Sequence, residues 1–383
     1  MNITNKSKIK ICHMTSAHNS NDTRIFHKEC VSLGKYGYDV SLVAHGSSFK
    51  KNGINVIGIG QIPSNRFKRM YSFAKEIYEK AISLNADIYH IHDPELLPYA
   101  YKLKKKGKKV IFDSHEDYLL TITEKKWIPN WLRSTVSKLY GKYENKVISI
   151  IDGAIVCYHW TGERYSKIND NVEMILNFPL LGGGKEHSEY KHSRKIAFAG
   201  GIACQWCHKE IIMALDKLKD VEYELAGKMN EPYGQELQSQ DGWKYVNYHG
   251  VIPHEEVKTK IYSSASIGMC LLDYIAQCKG TIGNLSNTKF FEYMQMGLPV
   301  VCTDFKLWKE IVEEEECGVC VNPRNVEEIM KAIGFLLDNP SIAKKMAMNG
   351  QQAVLRKYNW GTEEKKLLSL YENILSRSKN SKE

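Results

Sequence analysis

Short apolar runs recur along the chain, separated by longer stretches whose apolar positions fall at helical spacing. Ile9–Met14 reads as the first strand, followed by a polar loop, Thr15–Asp22, and a helix ending near Gly34. Further strands are predicted at Asp39–Ala44, Asn55–Ile59, Asp87–Ile91, Lys109–Phe112, Ile151–Cys157 and Val172–Leu176, with helices at Phe67–Leu84 and Leu96–Lys106. Leu180–Lys191 has no period and carries three consecutive glycines, which marks a linker. The alternation restarts at Ile196–Gly200. It continues through Tyr223–Ala226, Tyr245–Tyr248, Ile267–Leu271, Leu298–Cys302 and Val319–Val321, before the helices Val326–Leu337, Ser341–Lys357 and Thr362–Ser376. Strands alternating with helices predict an α/β chain of two doubly wound, Rossmann-like parallel-sheet domains facing across a cleft. In such sheets ligands bind beyond the carboxyl ends of the strands, where this chain places polar residues.

At 383 residues the chain is long enough for two cores. The expected boundaries are 1–180, a linker at 181–194, 195–357, and a terminal segment 358–383. The first residues lack a secretory pattern, and no apolar run reaches membrane-spanning length. A cytoplasmic, soluble or peripheral protein is therefore expected.

Charge and cysteine add two points. Residues 1–180 hold 27 Lys and Arg against 17 Asp and Glu, whereas the remainder holds 26 against 27, so the whole positive excess lies in the first half. That field suits an anionic membrane surface or a phosphate-bearing acceptor, and equally an ordinary solvated face; nucleic acid is not expected as a partner. Cys204-Gln-Trp-Cys207-His208 and Cys317-Gly-Val-Cys320 are two of the places where the ten cysteines fall, but their separation does not fit a zinc ribbon. Reduced cytosolic thiols are the expectation. His13, His18, His27, His90, His92 and His115 show no metal-ligand spacing, and no Asp-x-Asp occurs, so neither metal nor cofactor is expected.

Residues 283–301 are the most informative stretch. Gly283, Asn284, Ser286 and Asn287 read as loop and cap, Phe290, Phe291, Met294 and Met296 as one helix, and Leu298–Cys302 as a strand after the stop at Gly297. Lys289 and Glu292 fall three apart on that helix and share a face. A cation and a carboxylate beside a helix N-terminus suit a nucleoside diphosphate, the lysine for phosphate and the carboxylate for ribose.

With Lys289-Phe-Phe-Glu-Tyr-Met-x-x-Gly-Leu-Pro-Val-Val, Phe198-Ala-Gly-Gly-Ile, Leu225-Ala-Gly, His249-Gly-Val-Ile-Pro, Tyr358-Asn-Trp-Gly, Tyr36-Gly-Tyr-Asp-Val and Phe112-Asp-Ser-His115, the chain resembles family 4 glycosyltransferases of the two-Rossmann GT-B class, of the bacterial surface-polysaccharide type. The resemblance runs nearly end to end. It implies transfer of a sugar from a nucleotide sugar, UDP-sugars before GDP-sugars, with retained anomeric configuration and no bound metal. The acceptor would be a saccharide or lipid-linked saccharide, and the last helix would cross back to the first domain. Glu292 falls on the family's ribose-holding glutamate, and Asn284 stands where the first glutamate of that pair is common. Ser286, Asn287 and Thr288 would offer donors to the diphosphate. Gly201 lies in the glycine turn, where the usual arginine is missing. Lys209 falls where a following lysine is common, and Val251 and Ile252 fall at the base. The resemblance gives catalytic roles to His115, Lys289 and Asn284. Asp22, Arg24 and His92 are candidates for the acceptor side, though an N-cap and a local ion pair explain Asp22 and Arg24 equally well. A nucleotide-sugar 2-epimerase of the same fold and a non-catalytic nucleotide-binding protein are the competing readings. Lys125-Lys-Trp-Ile-Pro-Asn-Trp-Leu-Arg133, followed by Lys138, Lys142 and Lys146, suits an interfacial membrane patch, or two core tryptophans under a lysine face.

Overall fold

The computed structural model describes residues 8–182 and 190–380, and divides into two compact units, 1–177 with 361–383, and 178–360. Much of the expected linker, at 183–189, lies outside the described residues.

In the first unit, β1 (Lys10–Asn19), β2 (Asp39–His45), β3 (Phe49–Lys51), β4 (Ile54–Gly58), β5 (Ile88–Ile91), β6 (Lys109–Ser114), β7 (Gly153–Val156) and β8 (Val172–Met174) form one sheet. Its order is β3-β4-β2-β1-β5-β6-β7-β8, parallel throughout apart from the β3–β4 edge. β5 and β7 are buried along their whole length, as strands covered on both faces must be. Strand order reverses between β1 and β5, and the first unit's polar cluster sits at the carboxyl ends of those two strands. The terminal helix, Trp360–Asn380, packs on this unit from residue 361 onward. Tyr371 Oη lies 2.8 Å from His90 Nδ1, and Glu363 accepts the Leu176 amide at 2.7 Å.

In the second unit, β9 (Lys195–Ala199), β10 (Glu222–Ala226), β11 (Val246–Tyr248), β12 (Ile267–Cys270), β13 (Val300–Thr303) and β14 (Gly318–Val321) form a wholly parallel sheet, β11-β10-β9-β12-β13-β14. Here the order reverses between β9 and β12. This unit begins at Phe178, ahead of the apolar-pattern boundary at 180. Phe178 stacks edge-on against Phe291 and Tyr358, Pro179 accepts the Trp360 amide at 2.8 Å, and Leu180 accepts from Gln295 Nε2 at 2.7 Å.

The edge strand β3 and the short helices Tyr118–Glu124 and His159–Ser166 have no counterpart in the apolar pattern. The longest element without one is the helix Asn130–Ile148. Its apolar side is narrow and its outward side mixes aromatic with basic residues, so no clean amphipathic period emerges. Trp127 and Trp131 are 56% and 78% exposed, which excludes their being core tryptophans.

Candidate active site

In the second unit, the chain leaves β9 through Gly200 and β10 through Gly227, both at positive φ. A Cβ on Gly227 would lie 1.7 Å from the Gly200 carbonyl oxygen, so the two turns touch backbone to backbone. A cavity of about 330 Å³ opens beyond these strand ends, lined among others by Gly200, Lys228, Val251, Thr288, Lys289 and Glu292. Helix Thr288–Gln295 forms one side. It begins there because Asn287 is extended and its side chain accepts the Lys289 amide at 3.1 Å. It ends at Gly297, whose φ of +70° reverses the chain into β13. Phe290, Phe291 and Met294 bury the inner face and turn Lys289 and Glu292 toward the cavity.

Lys289 Nζ rests 4.3 Å from the Trp206 ring centroid and 5.3 Å from that of Phe198. Burial lowers its pKa, with Cys270 and Glu292 opposing. The two rings fix the ammonium without neutralising it. Glu292 lies near Tyr262 Oη at 3.5 Å and His254 Nε2 at 3.8 Å.

The remaining expected donor residues divide. Val251 and Ile252 line the cavity, Val251 at 74% exposure. Asn284 is buried and knots its own loop: its Oδ1 accepts from the Ser286 amide at 3.1 Å and Ser286 Oγ at 2.6 Å. Asn287 spends its oxygen on the cap and directs Nδ2 to Cys270 Sγ at 3.4 Å. Ser286 and Asn287 thus keep backbone roles at the helix entrance, while Thr288 reaches the cavity. Gly201 is exposed beside Gly200. Lys209 pairs with Glu236 at 2.6 Å and is not among the cavity's lining residues; Lys228 supplies the second lysine there. Its signal was its place one step past Leu225-Ala-Gly, at a strand's carboxyl end.

In the first unit, His92 and Asp93 follow β5, and His115 follows β6. Asp93 Oδ2 accepts from Thr15 Oγ1 at 2.7 Å, the Ser16 amide at 2.6 Å and the Ala17 amide at 3.1 Å, which pins the loop in β1. Asp22 caps the π-helical stretch Thr23–Cys30, accepting the Arg24 and Ile25 amides at 2.8 and 2.9 Å. Arg24 points inward, where its guanidinium forks onto Asp113 at 3.0–3.3 Å, meets Glu29 at 2.9 Å and donates to the Ile175 carbonyl at 3.0 Å. Its contacts thus hold the fold rather than present a charge outward. Burial alone would raise the Asp113 carboxyl, but Arg24 and His115 outweigh it and hold it well below the usual range. Burial and the neighbouring Asp113 instead push Glu29 well above its usual value. Burial lowers His115 to about 3, against the pull of Asp113. His18 is pushed the other way, since Asp22 and Asp93 outweigh its burial.

Sequence spacing did not anticipate that His13, Glu29, His90 and His92 bring ligand-type atoms within 4.8 Å of one another, nor that His92, Asp113 and His115 do the same. The first group is closed by its own contacts. His13 and His92 hydrogen-bond at 2.9 Å, and the fixed cation Arg24 already faces Glu29.

The comparisons agree on both units. The description "Glycosyltransferase Family 4" matches residues 24–178, and "Glycosyl transferases group 1" matches residues 193–339. This chain is a family 4-like glycosyltransferase of the GT-B fold. The glycosyltransferase is 21% identical over 368 residues to an uncharacterised glycosyltransferase of Methanocaldococcus jannaschii, covering 88% of this chain and 90% of the relative. Among solved structures it shares its fold with sucrose-phosphate synthase from Thermosynechococcus elongatus (TM-score 0.74, 15% identity, 97% of this chain and 100% of that one). It also shares it with Anabaena HepE in complex with UDP and glucose (TM-score 0.70, 11% identity, 95% and 99%).

Proposed function

We propose that this glycosyltransferase moves a sugar from a nucleoside-diphosphate sugar, a UDP-sugar before a GDP-sugar, to a saccharide or lipid-linked saccharide in polysaccharide or glycolipid biosynthesis. The anomeric configuration is retained and no bound metal takes part. One observation carries the reading: Lys289 and Glu292 line a single cavity at the carboxyl ends of β9 and β10, beside a helix N-terminus. The complex of HepE with UDP and glucose, on the same fold, supports the choice of uridine.

In this reading the diphosphate lies against Gly200, Gly201 and the first amides of helix Thr288–Gln295. Departure of the nucleotide builds negative charge on phosphate oxygens. Lys289, held by Trp206, and the positive end of the helix dipole stabilise that charge without reorganising. Lys228 adds a second cation from the cavity edge. These donors meet the charge that a divalent ion meets in other transferases, which supports a metal-independent step. Glu292 accepts ribose hydroxyls, and Val251 and Ile252 flank the base. Asn284 shapes the loop that presents these amides. In the first unit, His115 binds a sugar hydroxyl at the strand ends.

Helix Asn130–Ile148 is the proposed contact with an anionic membrane surface at the cytoplasmic face. Trp131, Thr135, Leu139 and Tyr143 repeat every four residues along its exposed side, and Lys138, Lys142 and Lys146 run beside them. No helix among the described residues is long and apolar enough to cross a membrane.

The test incubates the protein with UDP-, GDP- and ADP-sugars, with and without an extract of lipid-linked saccharides, and measures nucleotide release and product. Acceptor-dependent release of UDP with an α-for-α product is the expected result. Epimerised sugar without transfer, or no release with any donor, overturns the reading.

A further inference from the structure

Three imidazoles of the first unit are joined end to end. His13 Nδ1 lies 2.9 Å from His92 Nε2, and His92 Nδ1 lies 3.0 Å from His115 Nε2. His13 and His92 are wholly buried, whereas the His115 side chain keeps 13% of its exposure. Among the described residues His115 Nδ1 has no hydrogen bond, which makes it the nitrogen left for a ligand.

A neutral imidazole donates from one nitrogen and accepts at the other. In a line of three, the choice at one end therefore sets the other two. If the protons point inward, His115 Nε2–H donates to His92, His92 Nε2–H donates to His13, and His13 is left with an N–H at Nε2. If they point outward, His13 Nδ1–H donates to His92, His92 Nδ1–H donates to His115, and His115 carries its own proton at Nδ1.

The buried end decides between them. His13 Nε2 has no hydrogen-bond partner. A buried N–H without an acceptor is rarer in folded proteins than an under-used acceptor, so the bare nitrogen, and with it the outward order, is favoured. A doubly protonated His92 would donate in both directions and leave His115 in the same form. The flanking carboxylates do not select a direction. Asp113 Oδ2 lies 3.6 Å from His92 Nδ1 and 3.5 Å from His115 Nε2; Glu29 Oε2 lies 3.9 Å from His13 Nδ1 and 3.8 Å from His92 Nε2. Each lies about equally far from the two nitrogens of its link, so neither favours one ring over the other.

We propose that His13 and His92 are positioning residues that hold His115 as its Nδ1–H tautomer, so that the nitrogen facing a ligand is a hydrogen-bond donor. Such a group suits a sugar hydroxyl or phosphate oxygen, and it is no base toward an acceptor hydroxyl. Burial keeps both His13 and His115 neutral near pH 7, the state in which the proton count holds. The inference rests on the glycosyl-transfer reading only for the identity of the ligand.

The test uses the full chain labelled with ¹⁵N-histidine near neutral pH. A two-bond ¹H–¹⁵N correlation reads which nitrogen of each ring is protonated, and a His115→Gln spectrum assigns the signals. The expected result is Nδ1–H at His115. In His92→Phe that proton moves to Nε2, where Asp113 is the remaining acceptor. Nε2–H at His115 in the unsubstituted chain, or Nδ1–H persisting in His92→Phe, overturns the proposal. Should His92→Phe not fold, the unsubstituted spectrum decides alone. No turnover is needed, so an absence of transfer with every donor would sink the functional reading and leave this one to its own spectrum.

Discussion

A Cβ on Gly200 would stand 2.3 Å from Cε of Lys289 and 2.9 Å from its ammonium nitrogen. The glycine turn and the cavity's lysine therefore occupy adjoining space, and one shapes the other. Gly200→Ala should push Lys289 off the Trp206 ring and strain a backbone at φ +154°. The strain costs about 1–3 kcal/mol. The chain should remain folded while UDP affinity, measured by calorimetry, falls about tenfold or more, as it should in Lys289→Met. Undiminished affinity in both variants would remove Lys289 from the diphosphate site.

Glu292→Ala deletes the carboxylate assigned to the ribose. Hydrogen bonds to a charged group are worth about 1.5–3 kcal/mol, so nucleotide affinity should fall roughly 10–100-fold. Retention of full affinity for UDP by the variant would refute the ribose role.

His115→Ala tests the first unit separately. Turnover should drop about a hundredfold while the dissociation constant for the donor nucleotide changes by less than about threefold, the pattern of a contact made to the reacting sugar. Equal losses in both would indicate a collapsed site.

Membrane contact is tested with vesicles of zwitterionic lipid, with and without anionic lipid. A lysine near an anionic surface contributes about 1 kcal/mol, so reversing Lys138, Lys142 and Lys146 to Glu should abolish co-sedimentation with anionic vesicles. Trp131→Ser should weaken it with the fold intact. Equal partition to both vesicle types, or none, would end this assignment.

The Arg24–Asp113 pair predicts an acid limb in stability. Asp113 has a folded pKa held below its unfolded value of about 4, so its contribution is complete above that value and is lost as pH falls through the folded one. Asp113→Asn leaves Arg24 buried without its main partner, at a cost of about 3–5 kcal/mol. Denaturant midpoints should be lower in the variant at neutral pH, and the gap should narrow toward acid. A constant gap down to pH 2 would contradict the assignment.

The shared cavity face of Lys289 and Glu292 was legible because its chemistry is local. Asn287, Lys289 and Glu292 lie within six residues, and a cap followed by a helix converts that spacing directly into one face. Lys228 shares the cavity with Lys289 because β9 and β10 are neighbours, a placement that local sequence does not carry. For Arg24 the sequence leaves a substrate contact and an ion pair equally open. Its burial against Asp113, 89 positions later, is a property of the sheet.

Periodicity was enough for two alternating α/β halves and for the stop at Gly297, since strand and helix periods and a positive-φ glycine are local matters. Tertiary structure decided everything that needs strands from different parts of the chain to lie side by side. It joined His13, His92 and His115, from β1 and the ends of β5 and β6, into a single hydrogen-bonded line. It turned Asn284 back into its own loop, and it exposed Trp131 where composition left core and surface open. Burial and partner choice depend on which strands become neighbours, and no residue's local sequence encodes that alone.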